Sequence, residues 1–215
     1  MNDNRWKSIL QPGAFLAGFA LLGTLALASV YNLTLPKVEA NERASTLKQL
    51  NVLVPASSYN NDLLANTLTL PAAAFGSAED VVVYRASKQG VPVAALFIVT
   101  APDGYSGKIR MVVGINADQT LAGVRVLSQK ETPGLGDKID ANKDDWILGF
   151  ANKSLQNPTS AGWAVRKDGG EFDQFTGATI TPRAVVKAVK RTLEWSQQHF
   201  ASLFTPHTTS QGAQP

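Results

Sequence analysis

Ala94-Ala-Leu-Phe-Ile-Val99 is an unbroken apolar run near the middle of the chain. A short continuous run of this kind is typical of a strand that is buried on both faces. Three other stretches have strand character: Val81–Tyr84 before the run, and Lys108–Ile115 and Leu121–Leu127 after it. Turn-forming residues over Asn116–Gln119 separate the last two and predict a tight hairpin. Together the four stretches predict an antiparallel sheet.

Helical patterns precede and follow this sheet region in the sequence. Val38–Val52 is predicted to be a helix, and a second helix is predicted over Thr181–Phe204, where apolar residues recur at helical spacing. Thr at the N-cap and Pro182 at the first helical position would begin that second helix. Between sheet and helix, we predict a short amphipathic helix over Trp146–Phe150 and a short strand over Trp163–Arg166. The fold class expected is α+β, with helices packed on an antiparallel sheet.

An uncharged segment precedes this domain. Charged residues make up 17% of the chain, and none occurs in the 29 residues from Ser8 to Pro36. The most apolar part, Ala14–Tyr31, would be about 27 Å long as a helix, close to the thickness of the hydrocarbon core of a bilayer. We therefore predict a transmembrane helix over residues 14–34. A cleaved signal peptide is the alternative, because Ala26-Leu-Ala28 has the small-x-small form of a cleavage site.

The flanking charges orient this segment. Arg5 and Lys7 precede it, which predicts a cytoplasmic N-terminus over residues 1–13. The main domain, residues 35–204, is then exported to the periplasm. Residues 205–215 contain no charged residue and are predicted to be a disordered tail.

The composition excludes several classes of function. Twenty basic and 17 acidic residues give a net charge of only +3, and no run of basic residues interleaves with aromatics, which argues against a nucleic-acid partner. The chain has no cysteine, so disulfide scaffolds, thiolate zinc sites and iron–sulfur clusters are excluded. The only histidines are His199 and His207, near the C-terminus, so we expect no metal site and no catalytic triad.

The chemistry is predicted from the stretch Asp173-Gln-Phe-Thr-Gly-Ala-Thr-Ile-Thr-Pro182. It offers three hydroxyls, at Thr176, Thr179 and Thr181, directly before a predicted helix. Free N–H groups at a helix N-terminus bind phosphate, and a hydroxyl beside them suits a residue that carries a phosphate ester. The small pair Gly177-Ala178 permits close approach of a bulky group. From the residues alone, a loop that merely caps the helix is the stronger interpretation.

Asp173-x-x-Thr-Gly-Ala-Thr179 resembles the flavinylation motif of the FMN-binding domain family. In proteins with this motif, FMN is joined through its phosphate to the hydroxyl of the last threonine by a flavin transferase, which uses FAD and releases AMP. The resemblance implies a phosphoester on Thr179. It also implies a set of cofactor-binding residues around it: Asp173, Thr176, Gly177, Ala178 and Thr181.

Two further segments resemble the same family. Glu131-Thr-Pro-Gly-Leu-Gly136 is similar to the glycine-rich loop near the flavin, and Gly104-Tyr-Ser-Gly-Lys108 is similar to a segment that precedes a strand. The resemblance implies that the loop binds the cofactor through Glu131, Thr132, Gly134, Leu135 and Gly136. Tyr105 and Leu135 are the residues predicted to contact the flavin ring.

Together with the N-terminal segment and the chain length, these matches make the chain similar to the G subunits of Rnf ion-translocating electron-transport complexes. The C subunits of sodium-translocating NADH:quinone reductases are a related but longer type. The resemblance implies an electron carrier in the bacterial inner membrane that is not a complete enzyme alone. Its partners would be other membrane subunits and, during maturation, the flavin transferase. A stand-alone extracytoplasmic flavin reductase and a membrane-anchored binding or sensor module without flavin are the alternatives.

Overall fold

The computed structural model describes residues 3–205, so nearly all of the predicted tail lies outside the described residues. The chain divides into two compact units, one ending at Thr46 and one beginning at Leu47. The predicted helix over Val38–Val52 is the last part of a longer helix, α1, which runs from Asp3 to Asn51.

In the described part of the chain, no helix combines the length and the apolarity that crossing a membrane requires. The transmembrane helix predicted over residues 14–34 is therefore not confirmed; some side chains of that stretch lie outside the described residues. The described side chains of this part of α1 include large apolar groups that are more than half exposed, namely Leu16, Phe19, Leu21, Leu22, Leu25 and Leu27.

The second unit is built on a five-stranded sheet in which each strand pairs antiparallel with the next along the chain. This confirms the predicted antiparallel sheet, including the hairpin before Leu121. The edge strand β1 was not predicted, because its four residues are too few to show a period. The strands are β1 Thr67–Leu70, β2 Val81–Lys88, β3 Val91–Ala101, β4 Ile109–Asn116 and β5 Leu121–Ser128.

Strand β3 separates two apolar cores, as its unbroken apolar run predicted. Because side chains alternate across a strand, Ala95, Phe97 and Val99 enter one core, and Ala94, Leu96 and Ile98 enter the other. The first core also contains the apolar stripe of helix α2, Ile180–Leu203. The second is closed by the end of α1 and the segment after it, through Leu50, Leu53, Val54 and Leu63.

The start of α2 differs from the prediction. The helix begins at Ile180 with Thr179 at the N-cap, so Thr181 and Pro182 are its second and third residues. The first four N–H groups of any helix lack an intrahelical partner, so proline is tolerated throughout the first turn and does not fix the starting residue. The predicted Thr181 N-cap was therefore wrong by two residues.

The elements between sheet and α2 are short 3₁₀ turns. The predicted helix at Trp146–Phe150 is a 3₁₀ helix over Asp145–Phe150. The predicted strand Trp163–Arg166 was wrong, since only a single bridge joins Val165 to Phe172. The extended conformation ends after Val165, because the chain turns there into the 3₁₀ helix Arg166–Asp168.

Candidate functional site

Three separate segments meet at the carboxylate of Glu131, which is only 4% exposed. One carboxylate oxygen accepts a hydrogen bond of 2.9 Å from the backbone N–H of Ser106, in the Gly104–Lys108 segment. The other accepts a hydrogen bond from the Thr181 hydroxyl in the first turn of α2. The structure therefore brings together the three segments that carried the family resemblance, and it does so through one buried side chain.

Two glycines leave room for this carboxylate. A Cβ at Gly136 would lie 2.8 Å from Thr181 Oγ1 and 2.9 Å from Glu131 Oε2. A Cβ at Gly104 would lie 3.0 Å from Glu131 Oε1 and 2.1 Å from the Gly107 carbonyl oxygen. Contacts below 3.0 Å force neighbouring atoms to move, so Gly136 is required by close packing against Glu131 and Thr181.

The glycine-rich loop itself is a compact turn. The carbonyl oxygen of Thr132 accepts hydrogen bonds from the N–H groups of Leu135 and Gly136, both at 3.1 Å. Gly134 has a φ of +77°, a conformation that glycine adopts without strain. Leu135, the next residue, leaves 42% of its surface exposed.

The motif loop, Asp173–Thr179, forms a second turn beside the turn of the glycine-rich loop. The N–H of Ala178 donates to the carbonyl oxygen of Phe175 at 3.1 Å, and Gly177 has a φ of +81°. A turn with a positive φ at its third residue favours glycine, so backbone conformation alone explains Gly177. A Cβ at Gly177 would lie 3.7 Å from Leu135 Cδ2, so the two turns are neighbours. Thr176 lies exposed at the tip of this turn.

Two aromatic side chains, those of Phe175 and Trp146, pack together beneath the motif loop. Phe175 is buried with its ring 5.1 Å from that of Trp146, measured between centroids. Trp146 Nε1 also donates to the backbone oxygen of Asp173 at 2.9 Å. The Asp173 carboxylate points elsewhere and pairs with Arg166 at 2.9 Å. Asp173 thus holds the loop through two contacts, from its backbone oxygen to Trp146 and from its carboxylate to Arg166.

Thr179 occupies the end of the motif at the start of α2. It is half-buried, it already has helical φ and ψ, and its side chain makes no capping hydrogen bond. The first turn of α2 contains no acidic residue, and the free N–H groups of a helix start carry partial positive charge. The hydroxyl of Thr179 is therefore available at a position that favours a phosphate.

The neighbouring cations are largely engaged in ion pairs. Arg183 binds Asp168 with two contacts of 2.5 Å, which lowers the pKa of the Asp168 carboxyl. Lys108 pairs with Glu79 at 3.2 Å. The start of α2 is itself a positive feature beside Thr179, through its free N–H groups.

Three exposed apolar side chains belong to the three converging segments: Tyr105 (68% exposed), Leu135 (42%) and Ile180 (45%). The first two were predicted as ring contacts, whereas Ile180 was missed. Its signal in the sequence is an apolar residue directly after the motif threonine that does not belong to the buried stripe of α2. Asp137 was also missed: it is 7% exposed, and its Oδ1 has no hydrogen-bond partner among the described residues.

Two family models match the chain. The model of the FMN-binding domain matches residues 104–194, and so includes all three segments that meet at Glu131. The model of the RnfG N-terminal region matches residues 1–53.

Curated relatives match almost the whole chain. The G subunit of an ion-translocating oxidoreductase complex from Pseudoalteromonas atlantica is 46% identical, with 92% of each chain covered. The chain belongs to the family of these G subunits. The Shewanella amazonensis protein of the same name is 44% identical over 92% of this chain and 93% of its own. The Vibrio cholerae protein of that name is 42% identical over 95% and 98%.

Membership of this family confirms the predicted resemblance. The chain is a flavoprotein subunit of an ion-translocating oxidoreductase complex, it takes part in electron transport, and other subunits of the complex are its partners. The family model supports FMN as the cofactor. The roles of individual site residues, including attachment at Thr179, stay predictions.

The described residues fit FMN. Thr179 offers an unused hydroxyl at a helix start, which suits the phosphate. A Cβ at Gly134 would meet no atom within 4 Å, so the surface of the glycine-rich loop is open. Exposed apolar groups at Tyr105 and Leu135 suit an aromatic ring system, and the free acceptor of Asp137 lies one residue beyond the loop.

Proposed function

We propose that the chain carries FMN as a phosphoester on Thr179 and uses it to relay electrons between other subunits of the complex. The observation that carries this proposal is the state of the Thr179 side chain, which makes no capping hydrogen bond although it stands at the N-cap of α2. An N-cap threonine with an extended backbone normally bonds a free N–H of the first turn, but Thr179 has helical φ and ψ, which do not favour that bond. Thr179 instead keeps its hydroxyl available.

The attachment reaction is a phosphoryl transfer to this hydroxyl. Thr179 Oγ1 forms a bond to the phosphorus of the FMN half of FAD, and the bond from that phosphorus to the bridging oxygen of the diphosphate breaks. AMP leaves, and the hydroxyl proton is taken up by the solvent or the transferase. The start of α2 would stabilise the negative phosphate through its N–H groups. A flavin transferase is the partner that this step requires.

Once bound, FMN supplies the redox chemistry, and the chain supplies attachment and orientation. Tyr105 and Leu135 would lie against the ring system, with Ile180 beside the attachment point. These side chains are exposed, so they can hold a ring that partner cofactors still approach. The covalent bond keeps the local flavin concentration high without tight binding.

We also propose that the N-terminal segment holds the chain at the bacterial inner membrane, with residues 35–204 in the periplasm. Two observations support this: 29 consecutive residues lack charge, and the described apolar side chains of that part of α1 are exposed. Fractionation of cells, followed by protease treatment of spheroplasts, tests it. Degradation of the domain in intact spheroplasts is expected, and full protection would contradict periplasmic placement.

Intact mass and ultraviolet fluorescence on a denaturing gel test the attachment. We expect a fluorescent band and the mass of one FMN adduct when the full chain is co-expressed with a flavin transferase. Thr179→Ala should abolish both signals, and Thr179→Ser, which keeps the hydroxyl, should retain them. An FMN adduct on the Thr179→Ala protein would overturn the assignment.

Thr159→Ala is the matched control. Like Thr179, Thr159 is an N-cap threonine without a capping hydrogen bond, at the start of the 3₁₀ turn Ser160–Gly162, but it is exposed and lies outside the motif. This variant should be flavinylated like the unmodified chain.

A further inference from the structure

We propose that Glu131 is a positioning residue: its carboxylate holds the start of α2 against the glycine-rich loop and thereby places the Thr179 hydroxyl for flavin attachment. This inference rests on the proposed attachment at Thr179. It differs from the expectation that Glu131 binds the cofactor itself.

Burial and hydrogen bonding support a positioning role. Glu131 is 4% exposed, and each of its carboxylate oxygens already accepts a hydrogen bond, from Ser106 N and from Thr181 Oγ1. A buried carboxylate is costly unless it is hydrogen-bonded, so these two donors are required partners. Little of the side chain is left to contact a cofactor.

The packing around the carboxylate excludes even a methyl group. A Cβ at Gly136 would lie within 3.0 Å of both Glu131 and Thr181, so the loop backbone packs directly against both side chains at this point. The two segments are in direct contact through this bond. The position of one therefore determines the position of the other.

The bond acts on Thr179 through the first turn of α2. Thr181 is two residues beyond Thr179, and Pro182, which follows, has no N–H with which to anchor the turn. The Thr181 hydroxyl therefore provides a side-chain anchor for the helix start. Through Ser106, the same carboxylate also fixes the backbone next to Tyr105, a proposed ring contact.

The test measures the initial rate of flavinylation of the purified full-length chain in detergent, with a purified flavin transferase and FAD. Thr181→Val keeps the shape of the side chain and removes the donor. We expect the rate to fall at least about tenfold, because small displacements of a reacting group slow a reaction strongly. Thr181→Ser, which restores a hydroxyl, should recover most of the rate.

Thr192→Val is the matched control for a merely structural effect. Thr192 is another fully buried threonine of α2, and its hydroxyl donates to the Ala188 carbonyl oxygen at 2.8 Å. The Thr192→Val variant should have a lower melting temperature than the unmodified chain but the same rate of flavinylation. Equal slowing by Thr192→Val and Thr181→Val would overturn the proposal, as would a normal rate for Thr181→Val.

Glu131→Gln supplies an independent measurement. An amide has one acceptor oxygen where the carboxylate has two, so the Ser106 N–H and the Thr181 hydroxyl can no longer both donate to it. The variant should slow flavinylation, and the double variant Glu131→Gln/Thr181→Val should slow it by less than the product of the two single effects, because both changes act on one shared interaction. Additive slowing would contradict the shared bond. If the proposed attachment at Thr179 were wrong, the result would be different: the Thr179→Ala variant would be flavinylated in the same assay.

Discussion

Trp146 lies beneath the motif loop and holds it in two ways: its indole N–H donates to the backbone oxygen of Asp173 at 2.9 Å, and its ring packs edge-on against Phe175. The contact joins the 3₁₀ helix Asp145–Phe150 to the loop that ends in Thr179. The shape of the loop therefore depends on an aromatic residue that lies 27 positions earlier in the chain than Asp173.

Trp146→Phe is expected to loosen this loop. The variant keeps an aromatic ring against Phe175 but loses the hydrogen bond to Asp173. The free energy of unfolding should fall by about 1 kcal/mol, the usual net contribution of one hydrogen bond, and flavinylation should slow. Denaturant unfolding and the initial rate of FMN attachment measure the two effects.

Trp163→Phe is the control for the Trp146 prediction. Trp163 Nε1 also bonds backbone oxygens, those of Ser154 and Pro158, but these lie outside the motif. Because Trp163 is only 4% exposed, a loss of stability at least as large as that of Trp146→Phe is expected, with an unchanged attachment rate. If Trp163→Phe slowed attachment as much as Trp146→Phe, the specific role of Trp146 would be refuted.

Gly177→Ala should impair flavinylation through backbone strain. A residue with a Cβ at a φ of +81° is destabilised by ~1 kcal/mol or more, so the turn that presents Thr176 would change shape. Gly177→Asn should be milder, since asparagine tolerates this conformation better than alanine does. The readout is the fraction of chains with the FMN adduct by intact mass.

Gly90→Ala separates strain from site geometry. Gly90 has the same φ of +81°, and a Cβ there would meet no atom within 4 Å, but it lies in the turn between β2 and β3. We expect comparable destabilisation and complete flavinylation. Incomplete flavinylation of this control would show that general stability, and not the motif turn, governs attachment.

Tyr105→Ala should leave stability almost unchanged and alter the flavin environment. The side chain is 68% exposed, and substitutions of exposed side chains commonly change stability by less than about 0.5 kcal/mol. Loss of the proposed ring contact should increase quenching of flavin fluorescence by iodide. Identical quenching in variant and unmodified chains would remove Tyr105 from the ring site.

The Asp168–Arg183 pair predicts a pH dependence of stability. The Arg183 hydrogen bond lowers the pKa of Asp168 in the folded state. This contribution is therefore present above the ordinary titration range of a carboxyl group and is lost as the pH falls through the lowered pKa. Asp168→Asn should lower the melting temperature near neutral pH and have no effect in strong acid. A difference that persisted unchanged in acid would contradict this linkage.

The fold was predicted well where the pattern is local. The apolar run over residues 94–99 correctly indicated a doubly buried strand, and the hairpin order followed from the turn residues. The strand predicted at Trp163–Arg166 was wrong, because 3₁₀ turns lie on both sides of the single bridge residue Val165. The start of α2 was misplaced by two residues, because proline is permitted anywhere in a first turn.

The candidate site shows the same limit. The sequence indicated the three segments one by one, but the bond between Glu131 and Thr181 joins residues 50 positions apart, and no local pattern encodes it. Glu131 was accordingly predicted to bind the cofactor, whereas the structure places its carboxylate between two donors of the chain itself. Asp137 and Ile180 were missed because the burial of Asp137 and the exposure of Ile180 depend on the residues packed around them, which no sequence motif specifies.

The order of elements along the chain has a consequence for maturation. The sheet is complete at Ser128, whereas the proposed acceptor Thr179 lies at the start of α2, which must dock on that sheet before Thr179 and the glycine-rich loop come together. The proposed site therefore exists only in chains whose C-terminal helix has docked on the sheet. We expect the transferase to modify folded chains and not unfolded ones. The presence of FMN on a chain would then indicate that the chain has folded.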